Sequence, residues 1–505
     1  MTSVQTYDPR TGAVHDTAVG ATTAGEVAAL CTLAAEAAEQ VGDLDAWSLD
    51  RRAALLRGIA DRIDARAGEL AALADTETAL GEARLTGEVA RTTGQLRLFA
   101  EAVEEGSFLE VIVDHADPTA TPPRPDLRRM LQPIGPVGVF SASNFPFAFS
   151  VAGGDTAAAL AAGCPVVVKA HSGHVLTSAR TASLVAEALD ESGAPPGTFA
   201  VVYGREAGRV LVTDPAIRAV GFTGSLAGGR ALYDLAVSRP DPIPFYGELG
   251  SLNPVVVTPA AVAERGPEIV AGFAGSFTLG AGQFCTKPGL LLLPAGHGLE
   301  ATLASAVADV PPAVLLTPAI KDGFGDATTR LSAGDDVQVI AGTSDTDALA
   351  FPARLYTAPA AAVVADPALL DECFGPASLV VEWSSEDELF AVLDVVSGSL
   401  TATIHAEPGD APLAERLLAR LRRLAGRIVW NGWPTGVAVT WSMHHGGPWP
   451  ATTDPLHTSV GVTSVRRFLV PVVYQNTPPH LLPAPLRDNS EWVTGSSGGD
   501  PAGTG

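Results

Sequence analysis

Four cysteines occur in the chain, at positions 31, 164, 285 and 373, and one stands in a setting suited to nucleophilic chemistry. Cys285 lies in GlyAlaGlyGlnPheCysThrLysProGly (280–289), where glycines let backbone approach a ligand closely. Lys287, two residues on, would favour a thiolate if it pointed inward. Cys31 and Cys164 sit among apolar residues and read as inert core. Glu248, in PheTyrGlyGluLeuGlySerLeuAsnPro (245–254), is a carboxylate inside an otherwise uncharged run. Burial there demands either a partner or a raised pKa, and a raised pKa suits a general base. Asn144, in SerAlaSerAsnPheProPhe (141–147), is an amide able to donate to a developing oxyanion. Each has a plainer alternative: a core thiol, a solvated turn acid, an amide satisfying loop backbone.

Lysine is scarce, occurring only at 169, 287 and 321. Lys169 follows ValValVal (166–168), at the carboxyl end of an expected strand, where open α/β sheets bind ligands. PheThrGlySerLeuAlaGlyGly (222–229) puts small residues between an expected strand and an expected helix. Such a turn can offer a helix N-terminus to a diphosphate, although it is not a GxGxxG pattern.

These residues need a scaffold, and the periodicity describes one. From Glu26 to Glu105 the pattern is helical, with Leu55, Leu56, Ile59 and Ile63 on one face and Ser48 placed to cap that helix. Short β-branched runs then alternate with helical stretches: Val137–Phe140, Val166–Val168, Ala200–Tyr203 and Ala219–Phe222 are expected strands. Alternation of this kind predicts βαβ units and a parallel sheet. A second α/β lobe is expected from Pro254, with strands at Val255–Val257, Leu290–Leu293, Ala361–Val364 and Leu379–Val381. A proline-rich crossing (118–125) leads to an expected strand, Leu127–Gln132.

Composition removes several function classes. The 505 residues, at about 150 per domain, suggest two or three domains. Against 56 Asp and Glu stand 32 Lys and Arg, a net charge of −24, so nucleic acid and anionic membrane are not expected partners. Cysteines this few and scattered outline neither a disulfide framework nor a zinc site, and no metal is expected. The start, MetThrSerValGlnThr, shows no signal peptide, so a cytoplasmic protein is expected. The uncharged stretch 130–154 is broken by three prolines, at 133, 136 and 146, which argue against a membrane span.

Taken in order, AsnPheProPhe, ValLysAlaHis, PheThrGlySer, GluLeuGly, GlyGlnPheCysThr and GluCysPheGlyPro (372–376) resemble the aldehyde dehydrogenase superfamily over about residues 5–485. IleProPheTyrGlyGluLeuGly (243–250), GlySerLeuThrAlaThrIleHis (398–405) and TrpAsnGlyTrpProThrGlyVal (430–437) resemble one NADP-dependent branch. That branch holds α-ketoglutarate semialdehyde (2,5-dioxovalerate) dehydrogenases and bacterial long-chain aldehyde dehydrogenases.

The resemblance implies a Rossmann-type coenzyme domain (1–116 and 134–247), an α/β catalytic domain (248–443) and a small β bridging element (117–133 and 444–486) that pairs subunits into a homodimer or homotetramer. Residues 487–505 are expected to be disordered. It further implies that Cys285 attacks an aldehyde, that Asn144 and the Cys285 N–H hold the oxyanion, and that Glu248 activates water. Glu372 would hold the nicotinamide ribose, Phe374 would pack near the ring, and Gly224, Ser225 and Gly229 would lie near the diphosphate. Many NAD-using relatives carry an acid where this chain has Ser172, so Lys169, with Arg205, is expected to pair with a 2′-phosphate and favour NADP, NAD being the weaker alternative. Ser251 replaces a glycine frequent in the family. The substrate stays open between α-ketoglutarate semialdehyde and medium or long aliphatic aldehydes. Phe145, Phe149, Phe284 and Trp441 could line a pocket for either, and no arginine can be assigned to it from sequence. A coenzyme-free cysteine hydrolase is disfavoured because no Cys and His arrangement is legible.

Overall fold

The computed structural model describes residues 3–334, 336–342, 349–488 and 493–497. A hairpin, Ser3–Tyr7 against Val14–Gly20, precedes four helices, Ala24–Val41, Leu49–Asp64, Ala67–Thr78 and Glu82–Glu105. Ser48 caps the second, its side chain accepting from Arg51 N. Leu55, Leu56, Ile59 and Ile63 are buried on that helix's inner face. Each such side chain contributes about 1.5–3 kcal/mol on burial, which holds this helix to its neighbours Glu82–Glu105 and Val175–Ser192.

That sheet is five-stranded and wholly parallel, in the order Phe199–Val202, Val166–Lys169, Val137–Phe140, Ala219–Thr223, Phe245–Glu248. Helices Gly154–Ala162, Val175–Ser192, Arg205–Thr213 and Leu226–Val237 make the crossovers. The chain turns outward in both directions from Val137–Phe140, so a crevice opens beyond its carboxyl end. The register sets Phe140 level with Lys169 and Phe222, and Thr223 level with Glu248, so one crevice edge collects these strand ends. Asn144 lies in the loop that leaves the central strand.

A second sheet has seven strands, ordered Gln338–Ala341, Arg354–Pro359, Ala377–Trp383, Leu290–Pro294, Pro254–Val257, Ser399–His405, Ala425–Trp430. All are parallel except the edge strand Gln338–Ala341. Here one expectation is corrected. Ala361–Val364 is not a strand but part of a helix, Ala360–Ala365, and the strand is the preceding run Arg354–Pro359. Three successive alanines favour helix. Arg354–Pro359 instead holds an unbroken register from Ala377 to Glu382, which uses its backbone donors fully.

A four-stranded sheet, Leu469–Gln475, Leu127–Pro133, Val111–Asp114, Val493–Ser497, brings the end of the chain back to its first third. The expected disordered tail is corrected at Val493–Ser497, which pairs in parallel with Val111–Asp114. It is corrected too at Arg487, bonded to Asp45, and Asp488, bonded to Arg128, while 489–492 and 498–505 lie outside the described residues. Among the described residues no helix is long and apolar enough to cross a membrane. The uncharged stretch supplies two strands, Leu127–Pro133 and Val137–Phe140, and a turn-rich loop before helix Gly154–Ala162.

Candidate active site

Between the two parallel sheets lies a cavity of about 690 Å³. Asn144, Ser172, Gly224, Ser225, Glu248, Cys285, Glu372 and Phe374 all line it. Eight of the eleven site residues expected from sequence therefore converge on one space; Lys169, Arg205 and Gly229 stand outside its lining.

Cys285 occupies a turn between helix Pro259–Thr278 and strand Leu290–Pro294. Gly282 makes the approach possible: its φ is +66°, and a Cβ there would fall 2.1 Å from the Gly375 carbonyl oxygen. Asn253, itself at φ +57°, clamps the far side. Its Nδ2 donates to the carbonyls of Cys285 (2.8 Å) and Lys287 (2.9 Å), and its Oδ1 accepts from Thr401 N (3.1 Å) and Thr401 Oγ1 (3.0 Å). Ser251 joins this clamp, its Oγ donating to Asn253 Oδ1 (2.7 Å) and accepting from Leu400 N (2.8 Å). The serine that departs from the family pattern is thus a structural hydrogen-bonding group.

Lys287 does point inward, but not at the thiol. Its ammonium is buried and donates to the carbonyls of Cys373 (2.6 Å) and Ala377 (2.8 Å), tying down the segment that carries Glu372.

The thiol has a different partner, one that the sequence concealed. Cys285 Sγ lies 3.4 Å from His445 Nε2, and the same nitrogen lies 2.9 Å from Glu248 Oε1. The three reactive atoms fall within 4.8 Å of one another. Ser459 Oγ donates to the other Glu248 oxygen. The absence of a Cys and His arrangement is therefore corrected: one exists, 160 residues apart in sequence. His445 sits in SerMetHisHisGlyGlyPro, and nothing in its spacing from Cys285 announces the contact.

The electrostatics follow from this packing. Burial pushes the Cys285 thiol well above its ordinary value, the Glu248 and Glu372 charges push it further, and Arg91 opposes them. The resting group is a neutral thiol that needs a proton acceptor. For Glu248, burial pushes upward, but the charge and hydrogen bonding of His445 and the bond from Ser459 outweigh it and hold the carboxyl below its ordinary value. Glu248 thus takes the partnered alternative, not the raised pKa expected of it. Burial lifts Glu372 to about 7, against the pull of Lys287.

Asn144 is buried, donating Nδ2 to the Gln283 carbonyl (2.8 Å) while its own carbonyl accepts from Arg84 (2.8 Å). The Cys285 N–H has no partner among the described residues. Asn144 and Cys285 line the same cavity, and Asn144 Nδ2 keeps a second N–H beyond its bond to Gln283.

The opposite wall fits a nicotinamide coenzyme. Ser225 caps helix Leu226–Val237 through Gly228 N (3.2 Å), leaving the N–H groups before it in the first turn able to meet an anion. Gly229 is required for packing, since a Cβ there would lie 2.1 Å from Leu249 Cδ2. Lys169 ends its strand beneath helix Arg205–Thr213, and burial and the Arg205 charge lower it to about 8. Two cations so placed invite an anion between them. Phe145, Phe149 and Phe284 form a contiguous aromatic cluster, with Phe145 5.2 Å from each of the others, whereas Trp441 is exposed.

With this geometry, the relatives of the chain fall into one group. The model of the aldehyde dehydrogenase family matches residues 1–310. Alpha-ketoglutaric semialdehyde dehydrogenase 2 of Azospirillum brasilense is 48% identical over 497 residues, covering 97% of this chain and 94% of that protein. Alpha-ketoglutaric semialdehyde dehydrogenase of Acinetobacter baylyi is 44% identical over 446 residues, covering 87% and 85%. The fold is shared with aldehyde dehydrogenase C of Pseudomonas syringae, solved with NAD+ and octanal, at a TM-score of 0.78 and 20% identity over 94% of each chain. An aldehyde dehydrogenase of Brucella melitensis superposes with a TM-score of 0.77 at 22% identity, over 94% of this chain and 93% of its own. The clustered thiol, imidazole, carboxylate and amide, on two facing α/β sheets, accord with these matches, and the chain belongs to the aldehyde dehydrogenase family.

Proposed function

We propose that the chain oxidises α-ketoglutarate semialdehyde to 2-oxoglutarate with NADP, through a cysteine-bound thiohemiacetal and thioester. The Cys285–His445–Glu248 contact carries the chemical part of this reading, and the two relatives of that printed name support the substrate. The Cys285 thiol gives its proton to the buried His445–Glu248 pair beside it. Sulfur attacks the aldehyde carbon, and the carbonyl electron pair moves to oxygen, held by Asn144 Nδ2 and the Cys285 N–H. A bound nicotinamide supplies the hydride acceptor. Glu372 and Phe374 orient it. The first proton passes from the pair to solvent; Glu248 then takes one from water, which attacks the thioester carbon and expels the Cys285 sulfur as a thiolate. The test follows reduced coenzyme with 2,5-dioxopentanoate, hexanal and decanal in wild type and Cys285→Ala. A larger kcat/KM for decanal than for the oxo acid overturns the substrate assignment.

For the coenzyme, Lys169 and Arg205 pair with the 2′-phosphate, and Ser172 leaves out the repelling acid. Because Lys169 stands at about 8, NADP+ affinity weakens as pH rises above that value while NAD+ affinity does not. Comparable kcat/KM with NAD+ and NADP+ at pH 7 rejects the preference.

The coenzyme domain takes residues 1–116 and 134–247, and the catalytic domain 248–443. The β element (117–133 and 444–486) pairs subunits in a homodimer or homotetramer in the cytoplasm, with strand Leu469–Gln475 at the sheet edge and Val473 exposed on it. Light scattering that finds a monomer at working concentration overturns the assembly.

A further inference from the structure

Helix Glu82–Glu105 sets Arg84, Glu88 and Arg91 on one face, at spacings of four and three. Both guanidiniums are turned to the aromatic cluster beside Asn144. Arg84 Cζ lies 4.9 Å from the Phe284 ring centre and 5.3 Å from that of Phe145; Arg91 Cζ lies 5.1 Å from Phe149 and 5.7 Å from Phe145. The charge of the acid between them acts on both, but it forms an ion pair with neither. Glu88 uses Oε1 to accept from Phe147 N (2.8 Å) and Ala148 N (3.0 Å), holding the loop that carries Asn144.

What remains is an excess of unanswered donors. Arg91 makes no hydrogen bond and no ion pair among the described residues. Arg84 spends Nη2 on the Asn144 carbonyl, while its Nη1 is buried without a partner. A guanidinium withdrawn from water without an anion is costly, and burial lowers both groups below their ordinary values. Arg91 is also near enough to Glu88, then to Cys285 and Glu248, for their charges to act on it. Arg427 feels the Cys285 charge too, but both its Nη atoms already donate to the carbonyls of Pro434 and Gly436. Aromatic faces on one side and free N–H groups on the other describe a seat for a planar anion joined to a short carbon chain.

We propose that Arg91, with Arg84 beside it, is the seat for the remote carboxylate of the aldehyde substrate, and that it selects short ω-oxo carboxylates over uncharged aldehydes. This rests on the reading of Cys285 as the nucleophile and of an oxo-acid semialdehyde as its substrate. Arg84 has a second duty, since its bond to the Asn144 carbonyl ties the seat to the oxyanion amide; Arg91 is therefore the residue to change.

The experiment compares kcat/KM for 2,5-dioxopentanoate and for pentanal in wild type, Arg91→Met and Arg91→Lys. The ratio between substrates cancels any effect on thiol reactivity. In Arg91→Met the preference for the oxo acid falls on the order of 100-fold, and Arg91→Lys, with a charge but no planar fork, falls between. Titration of 2-oxoglutarate, which needs no turnover, shows a matching loss of affinity. A wild type that does not prefer the oxo acid overturns the substrate reading and this proposal together. A preference that survives in Arg91→Met overturns the seat alone. Should Arg91→Met fail to fold, Arg91→Gln carries the same comparison.

Discussion

The two walls of the cavity are built on opposite principles. The five-stranded sheet offers mostly backbone: a capped helix N-terminus, glycines that let helix and strand close together, and a pair of cations at the rim. The seven-stranded side offers a buried thiol held in place by an amide clamp, and the last residue of the facing sheet's edge strand, Glu248, meets it there with His445, so that titratable groups perturb one another. Binding a large anionic coenzyme calls for many fixed dipoles, each of modest strength. Proton transfer calls for a few groups whose charges depend on their neighbours. The first wall is therefore sensitive to volume throughout and to charge at its rim, and the second is sensitive to both throughout.

The sharpest way to break this contrast is at the thiol. Cys285→Ser lowers kcat on the order of 10⁴-fold or more while coenzyme binding persists, measured by steady-state rates and by coenzyme titration. If binding fell equally, the walls would not be separable. His445→Asn lowers kcat/KM on the order of 100-fold, and its rate keeps climbing with pH, because a thiol held far above its ordinary value must then ionise without help. A pH profile parallel to wild type removes His445 from the proton path.

Asn253→Ala probes the clamp. It strands the carbonyls of Cys285 and Lys287 and the N–H of Thr401, each at about 1–3 kcal/mol, so chemical denaturation registers a loss of several kcal/mol. Gly229→Ala probes the opposite wall by volume alone, and overpacking against Leu249 costs about 1–3 kcal/mol and raises the KM for coenzyme with kcat little altered.

The smallest effect is one of pH. Glu372 stands at about 7, so it is protonated below that value and a carboxylate above it. Only the carboxylate accepts two ribose hydroxyls, so the KM for NAD+ falls as pH rises through about 7 and levels off beyond, whereas that for NADP+ climbs again above about 8. Glu372→Gln abolishes that fall.

Much of the site was legible because its residues stand at strand ends and in loops of unusual composition. A lone acid in an uncharged run marked Glu248, glycines marked Cys285, and an isolated lysine marked Lys169. Arg91 escaped because arginine on an amphipathic helix looks like any solvated charge until the helix face is known. His445 escaped because a loop contact across 160 residues leaves no periodic trace. Strand Arg354–Pro359 was misplaced for a local reason: it abuts an alanine and valine run that fits either state when read alone.

By itself, then, the sequence determined the alternation of strand and helix, hence the parallel sheets, and the loops in which reactive residues stand, because those depend on periodicity and on residues near in chain. Only the tertiary structure decided which way charged side chains face and what they meet. Lys287 turns to two carbonyls and not to the thiol, Glu248 is held below its ordinary value and not raised, and Arg91 makes no ion pair or hydrogen bond among the described residues. Protonation and pairing depend on burial and on distances across the fold, and neither quantity is written in local order.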